Sequence, residues 1–298
     1  MEMSEVQPFD DRDGWIWFDG KLVPWRDANI HVLTHGLHYA SSVFEGCRAY
    51  GGEIFKLTEH SQRLRKSASI LGFELPWSVE QIDAACRETL AASGLEDAYV
   101  RPVAWRGAEQ MGVSAQLTKP HMAIAVWAWG AYFGEEAIRA GVKLDISPWR
   151  RPAPYTAPTD AKASGLYMIC TMAKHAAENR GFNDALMFDW RGQVAEATGA
   201  NAFFVKDGAL HTPTPDCFLN GLTRQTIIDL ARRRGIEVIE RTIWPEQLED
   251  FEQFFLTGSA AEVTPVASAG PWNFEVGDLT LQLRKDYLDL VHRRIPNS

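Results

Sequence analysis

The stretch D-A-L-M-F-D-W-R-G-Q-V-A-E (184–196) is followed closely by N-A-F-F-V-K-D-G-A-L-H-T (201–212), and both share one pattern. In each, two apolar runs flank a short polar turn, at Trp190–Gly192 in the first and at Asp207–Gly208 in the second. Glycine-containing turns between such runs are typical of β-hairpins. Two consecutive hairpins predict an antiparallel sheet in this half of the chain.

The first half of the chain carries similar signals. An Asp-Gly pair in 15–25 and a Gly-Gly pair in 47–55 each predict a hairpin. Ser78 and Gln81 form an S-x-x-Q capping box before a helix that Gly94 would end. The other segments predicted to be regular are a helix capped by Thr58, helices at 164–180, 223–234 and 279–294, and strands at 98–105, 121–129, 142–147, 236–240 and 253–260.

Helices and hairpins alternate without a regular βαβ spacing, and no G-x-G-x-x-G motif is present. This pattern favours α+β domains over a Rossmann fold. The stretch 130–134 and the four prolines of 147–158 interrupt regular structure. We therefore predict a small N-terminal domain over 1–129, an interdomain loop over 130–140 and a larger C-terminal domain over 141–298.

The composition is that of an ordinary globular protein. The chain has 298 residues, 46% of them hydrophobic and 23% charged. A net charge of −9 disfavours nucleic acid or an anionic membrane as a partner. The four cysteines are far apart and form no C-x-x-C motif, which indicates reduced thiols. With no apolar run near ~18 residues and a polar, acidic N-terminus, we expect a cytoplasmic protein.

Two segments could carry chemistry at a single polar side chain. Lys162 stands among small residues in T-D-A-K-A-S-G-L-Y-M (159–168), which would let another molecule approach the backbone. If Lys162 is desolvated, it can form a Schiff base with an aldehyde. The alternative is that Lys162 is an ordinary solvated lysine in a loop. Glu196 also lies among small residues and either faces a ligand, such as the ring nitrogen of a pyridoxal cofactor, or is a solvated strand residue.

Two further segments could bind anions through the backbone. In F-L-N-G-L-T-R-Q-T (218–226), Gly221 leads into a helix predicted to be capped near Thr223. The free N–H groups at a helix N-terminus can bind phosphate. The alternative is an ordinary capped helix without a ligand, which has the same sequence pattern. The small residues of T-G-S-A-A-E-V (257–263) could let backbone N–H groups bind an anionic oxygen, or they could form a plain turn.

His31, His35 and His38 are spaced four and three residues apart. On a helix this spacing would align three imidazoles and indicate zinc. The apolar residues between them favour a half-buried irregular segment instead, and no glutamate stands between them as in H-E-x-x-H. We therefore expect no metal, and the absence of G-x-S-x-G gives no support to an α/β-hydrolase nucleophile.

Taken together, these segments resemble the fold-type IV pyridoxal-phosphate enzymes, most closely the branched-chain-amino-acid aminotransferases. The stretches that carry the resemblance cover roughly 14–270 and are H-G-L-H-Y-A-S-S-V-F-E-G-C-R-A-Y, H-S-Q-R-L, Y-V-R-P, Q-M-G-V, W-G-A-Y, the Lys162 segment, V-A-E-A-T-G-A-N-A-F, L-N-G-L-T-R and T-G-S-A-A-E-V-T-P-V. The resemblance implies a two-domain α+β architecture, with a small α/β N-terminal domain and a larger C-terminal domain built on an antiparallel-rich sheet or barrel. It also implies pyridoxal 5'-phosphate as the cofactor, at the domain interface.

The resemblance assigns cofactor contacts to individual residues. Lys162 would hold the cofactor as a Schiff base and carry the proton between the substrate Cα and the cofactor. Glu196 would pair with the pyridine nitrogen, and Tyr167 would hydrogen-bond the ring hydroxyl. The implied phosphate contacts are Arg63, the backbone N–H groups of Leu222 and Thr223, and the Ser259 region.

The resemblance also places substrate contacts in both domains. The apolar pocket for the substrate side chain would be lined by Tyr39, Phe44, Trp129 and Tyr132. The α-carboxylate would be held by Tyr99 and the turn Ser259–Ala260, and the distal carboxylate of glutamate by Arg48 and Arg101. Met111–Val113 would reach over from a second subunit, which implies a homodimer or a larger homo-oligomer.

The implied reaction is a reversible ping-pong transamination of L-leucine, L-isoleucine or L-valine with 2-oxoglutarate. Aminodeoxychorismate lyase and the D-amino-acid or amine transaminases are the alternatives within the same fold type. By resemblance, Tyr99, Arg101 and Arg48 argue against these transaminases, and the E-G-C-R-A-Y and W-G-A-Y patterns argue against the lyase. A non-enzymatic binding protein is disfavoured because both Lys162 and Glu196 are present.

Overall fold

The computed structural model describes residues 7–130 and 133–294. By its contacts the chain divides into two compact units. The first unit runs to Trp129 and also includes Lys162–Gly165, and the second consists of Gly130–Ala161 and the residues from Leu166 onward. The domain limits given above stay a prediction. None of the helices in the described ranges has the length and apolar character needed to cross a bilayer.

The first unit is built on a seven-stranded antiparallel sheet. Its strands are β1 (Trp15–Phe18), β2 (Lys21–Pro24), β3 (Ser42–Phe44), β4 (Cys47–Tyr50), β5 (Glu53–Ile54), β6 (Ala98–Arg106) and β7 (Pro120–Ala128). Its helices are α1 (His35–Tyr39), α2 (Leu57–Ile70) and α3 (Val79–Ser93). The strand order is β2-β1-β7-β6-β4-β5, and β3 pairs with β6.

The local signals predicted for this unit are confirmed with one exception. Asp19 and Gly20 have φ values of 47° and 104° and form the turn between β1 and β2. The Ser78 capping box is present at the start of α3, and Gly94 ends that helix. The prediction that Thr58 caps α2 is wrong, because the helix begins at Leu57 and the Thr58 hydroxyl donates to a carboxylate on α3 instead.

The core of the first unit lies between the sheet and helices α2 and α3. Leu64 of α2 and Ile82 and Cys86 of α3 are completely buried against residues of β6 and β7, such as Val100 and Ile124. The spacing of four between Ile82 and Cys86 puts both on one helix face. Burying a side chain of this kind contributes about 2 kcal/mol, so this face anchors both helices to the sheet.

The second unit is built on a nine-stranded sheet. Its strands are β8 (Val142–Ile146), β9 (Asp184–Phe188), β10 (Val194–Ala197), β11 (Asn201–Lys206), β12 (Ala209–Pro213), β13 (Val238–Arg241), β14 (Gln253–Gly258), β15 (Glu262–Ala269) and β16 (Trp272–Asn273). Its helices are α4 (Glu135–Ala140), α5 (Tyr167–Glu178), α6 (Leu222–Arg233) and α7 (Asp278–Val291). Both predicted hairpins, β9–β10 and β11–β12, are present, and the α+β fold class is confirmed.

The strand order of the second unit is β10-β9-β8-β15-β14-β11-β12-β13, and β10 also pairs with β11, so six of these strands form a closed ring. Three parallel pairs lie within the sheet: β8–β15, β8–β9 with α5 as the crossover helix, and β12–β13 with α6 as the crossover helix. The sequence pattern did not indicate these βαβ units. Pro265 also hid the central strand β15, because proline lacks an N–H and is rare inside sheets. Pro265 pairs with Phe255 of β14, and the pairing with β8 begins only at Val266, with a register shift between Val266 and Ser268.

Candidate active site

Lys162 is held in the first unit by its backbone. Its N–H donates to Ser67 Oγ at 2.9 Å, and its carbonyl oxygen accepts from the Phe44 N–H at 3.1 Å. A Cβ added to Gly165 would lie 3.0 Å from the Cβ of Ala40, so this position suits glycine. The small residues around Lys162 therefore have a structural role as well, because they let this segment lie close to the backbone of the first unit.

The amine of Lys162 lies near three other residues predicted to bind substrate. Its Nζ is 4.9 Å from the centroid of the Phe44 ring, and the Arg101 guanidinium is 4.8 Å from the same centroid. Arg101 Nη2 also donates to the Tyr99 hydroxyl at 3.2 Å. Cations over an aromatic face are attracted by the ring quadrupole. The first unit thus brings a primary amine, a guanidinium, a phenol and an apolar ring into one group.

Tyr99 is fixed in place by its neighbours. The residue is only 6% exposed, and its ring centroid lies 5.1 Å from that of Trp127 and 4.7 Å from that of Trp129. A Cβ at Gly46 would lie 1.9 Å from the Tyr99 hydroxyl oxygen, so only glycine fits there. Arg48 is the cross-strand partner of Tyr99, which places both predicted carboxylate contacts at the same register of the sheet.

Gly46→Ala is expected to lower the free energy of unfolding by about 1–3 kcal/mol, because the new methyl group overlaps a tyrosine that two tryptophans hold in place. Urea unfolding measures this effect. Gly130→Ala is the matched control, since a Cβ there meets no atom of the described residues within 4 Å. Equal unfolding free energies for both variants would contradict the prediction.

The predicted substrate residues Tyr39, Met111 and Val113 form a separate, exposed group in the first unit. The Tyr39 ring stacks on His35 at 4.6 Å, and His35 Nε2 lies 2.9 Å from the carbonyl oxygen of Gly112. Met111 is 43% exposed and Val113 is 89% exposed. The structure therefore places this group on the surface of its own chain. Tyr132, the remaining predicted pocket residue, lies outside the described residues.

The three histidines of 31–38 each bond to a backbone group. The His31 Nδ1 accepts from the Leu33 N–H at 3.1 Å, and His38 Nε2 lies 2.8 Å from the carbonyl oxygen of Val32. Only His35 and His38 lie within the short helix α1. The three imidazoles therefore do not share one helix face.

Glu196 lies on β10 of the second unit and is 9% exposed, so the alternative of a solvated strand residue is wrong. Asn201 Nδ2 donates to its Oε2 at 3.0 Å, and Arg151 Nε lies 3.4 Å from its Oε1. Buried carboxylates persist when they are paired and hydrogen-bonded. The fold therefore maintains a partnered carboxylate at this position.

Arg151 is a buried residue that the sequence analysis missed. It is 4% exposed, and its Nη1 donates to the sulfur of Cys170 at 3.3 Å. Burial lowers the pKa of Arg151, but its acidic neighbours Glu196, Cys170 and Tyr167 bring the pKa above its ordinary value. The charge of Arg151 therefore lies beside the Glu196 carboxylate. Its sequence context, a proline-rich loop, indicated only irregular structure.

The loop before α6 is built for a close backbone approach. The helix begins at Leu222, one residue before the predicted start at Thr223. Its N-cap is Gly221, two residues before the predicted cap. The Gly221 N–H donates to Asn201 Oδ1 at 3.2 Å, and a Cβ on Gly221 would lie 2.3 Å from that oxygen. No side chain in the described part of the chain caps this helix. The first N–H groups of α6 thus keep the character of an anion site.

A second buried arginine supports this loop. Arg224 is 1% exposed, and its Nη1 donates to Asn220 Oδ1 at 2.9 Å. Its Nη2 donates to the Pro213 carbonyl oxygen at 3.1 Å and to Glu240 Oε2 at 2.8 Å. These bonds fix the side of the loop that faces the body of the second unit. The sequence showed Arg224 only as one residue of L-N-G-L-T-R.

The turn between β14 and β15 contains Ser259 and Ala260, both half-buried. Next to it, the hydroxyl of Thr257 is buried and has no hydrogen-bond partner within the described residues. Thr257 is the cross-strand partner of Asn201. A buried hydroxyl without a partner is unusual in a folded protein and fits a place that receives a polar ligand.

Each unit by itself offers partners of the types that pyridoxal 5'-phosphate needs. The first unit offers the amine of Lys162 for the aldehyde and the guanidinium of Arg63, a residue of α2 whose side chain is 16% exposed, for the phosphate. The second unit offers the carboxylate of Glu196 for the ring nitrogen and an uncapped helix start for the phosphate. A pyridoxal cofactor needs each of these partner types.

Comparison with known proteins gives concordant results. The family model for amino-transferase class IV matches residues 42–269. The branched-chain-amino-acid aminotransferase of Pseudomonas aeruginosa is 43% identical in an alignment of 288 positions that covers 94% of each chain. The solved structure of the Escherichia coli branched-chain amino acid aminotransferase matches with a TM-score of 0.92 and 37% identity, over 96% of this chain and 97% of that one. The branched-chain amino acid aminotransferase of Thermobaculum terrenum in its PLP form matches with a TM-score of 0.87 and 28% identity over 95% of both chains.

The match to the family model extends over most of both units, and it includes Lys162, Glu196 and the loop before α6. The relatives agree with it in sequence and in fold over nearly their whole length. From this agreement we conclude that the chain belongs to the class IV aminotransferases.

Proposed function

We propose that this protein catalyses the pyridoxal 5'-phosphate-dependent transamination of L-leucine, L-isoleucine and L-valine with 2-oxoglutarate. The products are the branched 2-oxo acids and L-glutamate, formed in a reversible ping-pong reaction. The observation that carries the proposal is the group at the Phe44 ring, where the Lys162 amine and the Arg101 guanidinium lie 4.9 and 4.8 Å from the centroid of one apolar ring. The names of the relatives support the choice of substrates.

Lys162, Glu196 and Tyr167 perform the central steps. When bound, the cofactor supplies an electron sink for the bond broken at the substrate Cα. Lys162 would hold the cofactor through Nζ, and its free amine would take the proton from the substrate Cα. The Glu196 carboxylate would keep a proton on the ring nitrogen, and Tyr167 would hydrogen-bond the ring hydroxyl.

Residues of both units bind the phosphate in this proposal. Arg63 can grip phosphate oxygens with its planar guanidinium. The N–H groups of Leu222 and Thr223 at the start of α6 add the helix dipole. The Ser259 region contributes a hydroxyl and backbone donors. Together these groups would anchor the cofactor through its phosphate.

The pocket must accept both an aliphatic side chain and the distal carboxylate of glutamate. Phe44 and Trp129 provide the apolar wall, while Arg48 and Arg101 bind the distal carboxylate. The Arg101 guanidinium lies over Phe44 and also 5.1 Å from the Tyr99 ring, so it has favourable partners when the bound substrate has no second charge. The α-carboxylate common to both substrates would bind Tyr99 and the turn Ser259–Ala260.

We further propose that the protein is a cytoplasmic homodimer or larger homo-oligomer, in which Met111–Val113 contacts a second subunit. The support is the exposure of apolar side chains in this segment, where Val113 is 89% exposed. The four cysteines are free and buried, which supports a reducing compartment.

A substrate panel tests the proposed function. The protein loaded with pyridoxal 5'-phosphate is incubated with leucine, isoleucine, valine, D-alanine or a simple amine, each with 2-oxoglutarate, and separately with aminodeoxychorismate. We expect glutamate formation with the three branched L-amino acids. Activity confined to D-alanine or the amine, or release of pyruvate from aminodeoxychorismate, would overturn the substrate assignment. A protein that stays colourless with added cofactor would overturn the cofactor assignment too.

A further inference from the structure

Glu45 lies in the chain between Phe44 and Gly46, two residues already described in the candidate active site. Glu45 is 1% exposed, and its two carboxylate oxygens accept from one edge of Arg63: Nε donates to Oε1 at 2.6 Å and Nη2 donates to Oε2 at 2.9 Å. His60 Nδ1 lies 2.6 Å from the same Oε2. His60 and Arg63 are one turn apart on α2, so a single carboxylate below that helix joins both.

The charges in this cluster follow from its burial. Burial alone would raise the pKa of Glu45, but the charge of Arg63 and the hydrogen bonds from Arg63 and His60 bring the pKa far below its ordinary value. Burial lowers the pKa of His60 despite the neighbouring carboxylate. The cluster thus holds an ionised Glu45 and a neutral His60. Since a carboxylate oxygen can only accept, the neutral imidazole donates through Nδ1–H.

Arginine is a long side chain with many rotamers, and a mobile guanidinium loses entropy when it binds phosphate. A two-point bond to a buried carboxylate removes that freedom in advance, because it sets the plane of the guanidinium. With Nε and Nη2 directed to Glu45, the Nη1 side is the edge that would meet a phosphate oxygen. The charge of Glu45 is offset by that of Arg63.

We propose that Glu45, supported by His60, is a positioning residue that presents Arg63 to the phosphate of the cofactor. This inference rests on the proposed function, because it takes Arg63 as a phosphate contact. It predicts that Glu45 affects affinity only for ligands that carry the phosphate group. A purely structural role would change the affinity for all cofactor forms alike.

The test compares pyridoxal 5'-phosphate with pyridoxal, which has the same ring and aldehyde but no phosphate. Binding of each to wild-type protein, Glu45→Gln, Arg63→Gln and the double variant is followed by the visible absorbance that the aldehyde acquires at Lys162. We expect Glu45→Gln to weaken binding of pyridoxal 5'-phosphate about 10- to 100-fold and to leave pyridoxal binding within about twofold. The double variant should bind pyridoxal 5'-phosphate no more weakly than Arg63→Gln does, since the two substitutions remove the same interaction.

Asp83→Asn is the matched control. Asp83 is a buried carboxylate on α3 that also holds α2, but through hydrogen bonds from the hydroxyls of Thr58 and Ser61 at 2.6 Å each. This variant should keep the ratio of the two affinities. If Glu45→Gln does not fold, Glu45→Asp retracts the carboxylate by one methylene and should give the same selective loss.

Equal loss of both affinities in the Glu45 variant, or no loss of either, would overturn the positioning role. A wild-type protein that binds neither aldehyde would instead overturn the proposed function.

Discussion

Lys162→Ala is expected to lower the rate of transamination by about 10⁴-fold, because it removes both the covalent anchor of the cofactor and the base that moves the Cα proton. The fold should survive the change. Lys162 is tied to Ser67 and Phe44 through its backbone N–H and carbonyl oxygen, which alanine keeps. The variant therefore separates chemistry from stability.

Borohydride reduction followed by peptide mass spectrometry provides a direct readout. In the wild-type protein we expect the pyridoxyl mass on the peptide that contains Lys162, and in the variant no labelled peptide. Lys143→Ala is the control, since Lys143 has an exposed side chain on β8 and should keep full activity. Wild-type rates in Lys162→Ala, or a label on another lysine, would refute the assignment of the reactive amine.

Glu196→Gln is expected to reduce turnover by about 10²- to 10³-fold, a typical effect of removing one preorganised electrostatic partner. The amide has the shape of the carboxylate but cannot keep the ring nitrogen protonated. The same change removes the charge partner of Arg151, whose side chain is only 5% exposed. We therefore also expect a loss of about 3 kcal/mol in the free energy of unfolding, because an unpaired charge is left buried.

The two effects of Glu196→Gln can be separated with a second substitution. Arg151→Met in the Glu196→Gln background removes the unpaired charge and should recover most of the lost stability. It should not recover turnover, because the ring nitrogen still lacks its carboxylate. Urea unfolding and steady-state rates of the single and double variants measure both quantities. Recovery of turnover along with stability would mean that Glu196 serves the fold and not the reaction.

The sequence predicted the local elements of this protein well, because their signals are short-range. The Asp-Gly and Gly-Gly turns, the Ser78 capping box and the two consecutive hairpins around Glu196 all appear as predicted. Pro265 shows the limit of such signals. Proline argues locally against a strand, yet β15 pairs on both sides in the centre of the sheet, since the neighbouring strands supply the remaining hydrogen bonds.

The sequence by itself, through its ordered motifs, determined the fold class, the family and the residue types from which the candidate site is built. Only the tertiary structure decided which other residues support the residues of the candidate site. Glu45 is 18 residues from Arg63, and Arg151 is 45 residues from Glu196 in the chain, so neither pair leaves a local pattern. Both pairs exist because burial makes an unpartnered charge costly, and the partner comes from whichever part of the chain the fold brings near.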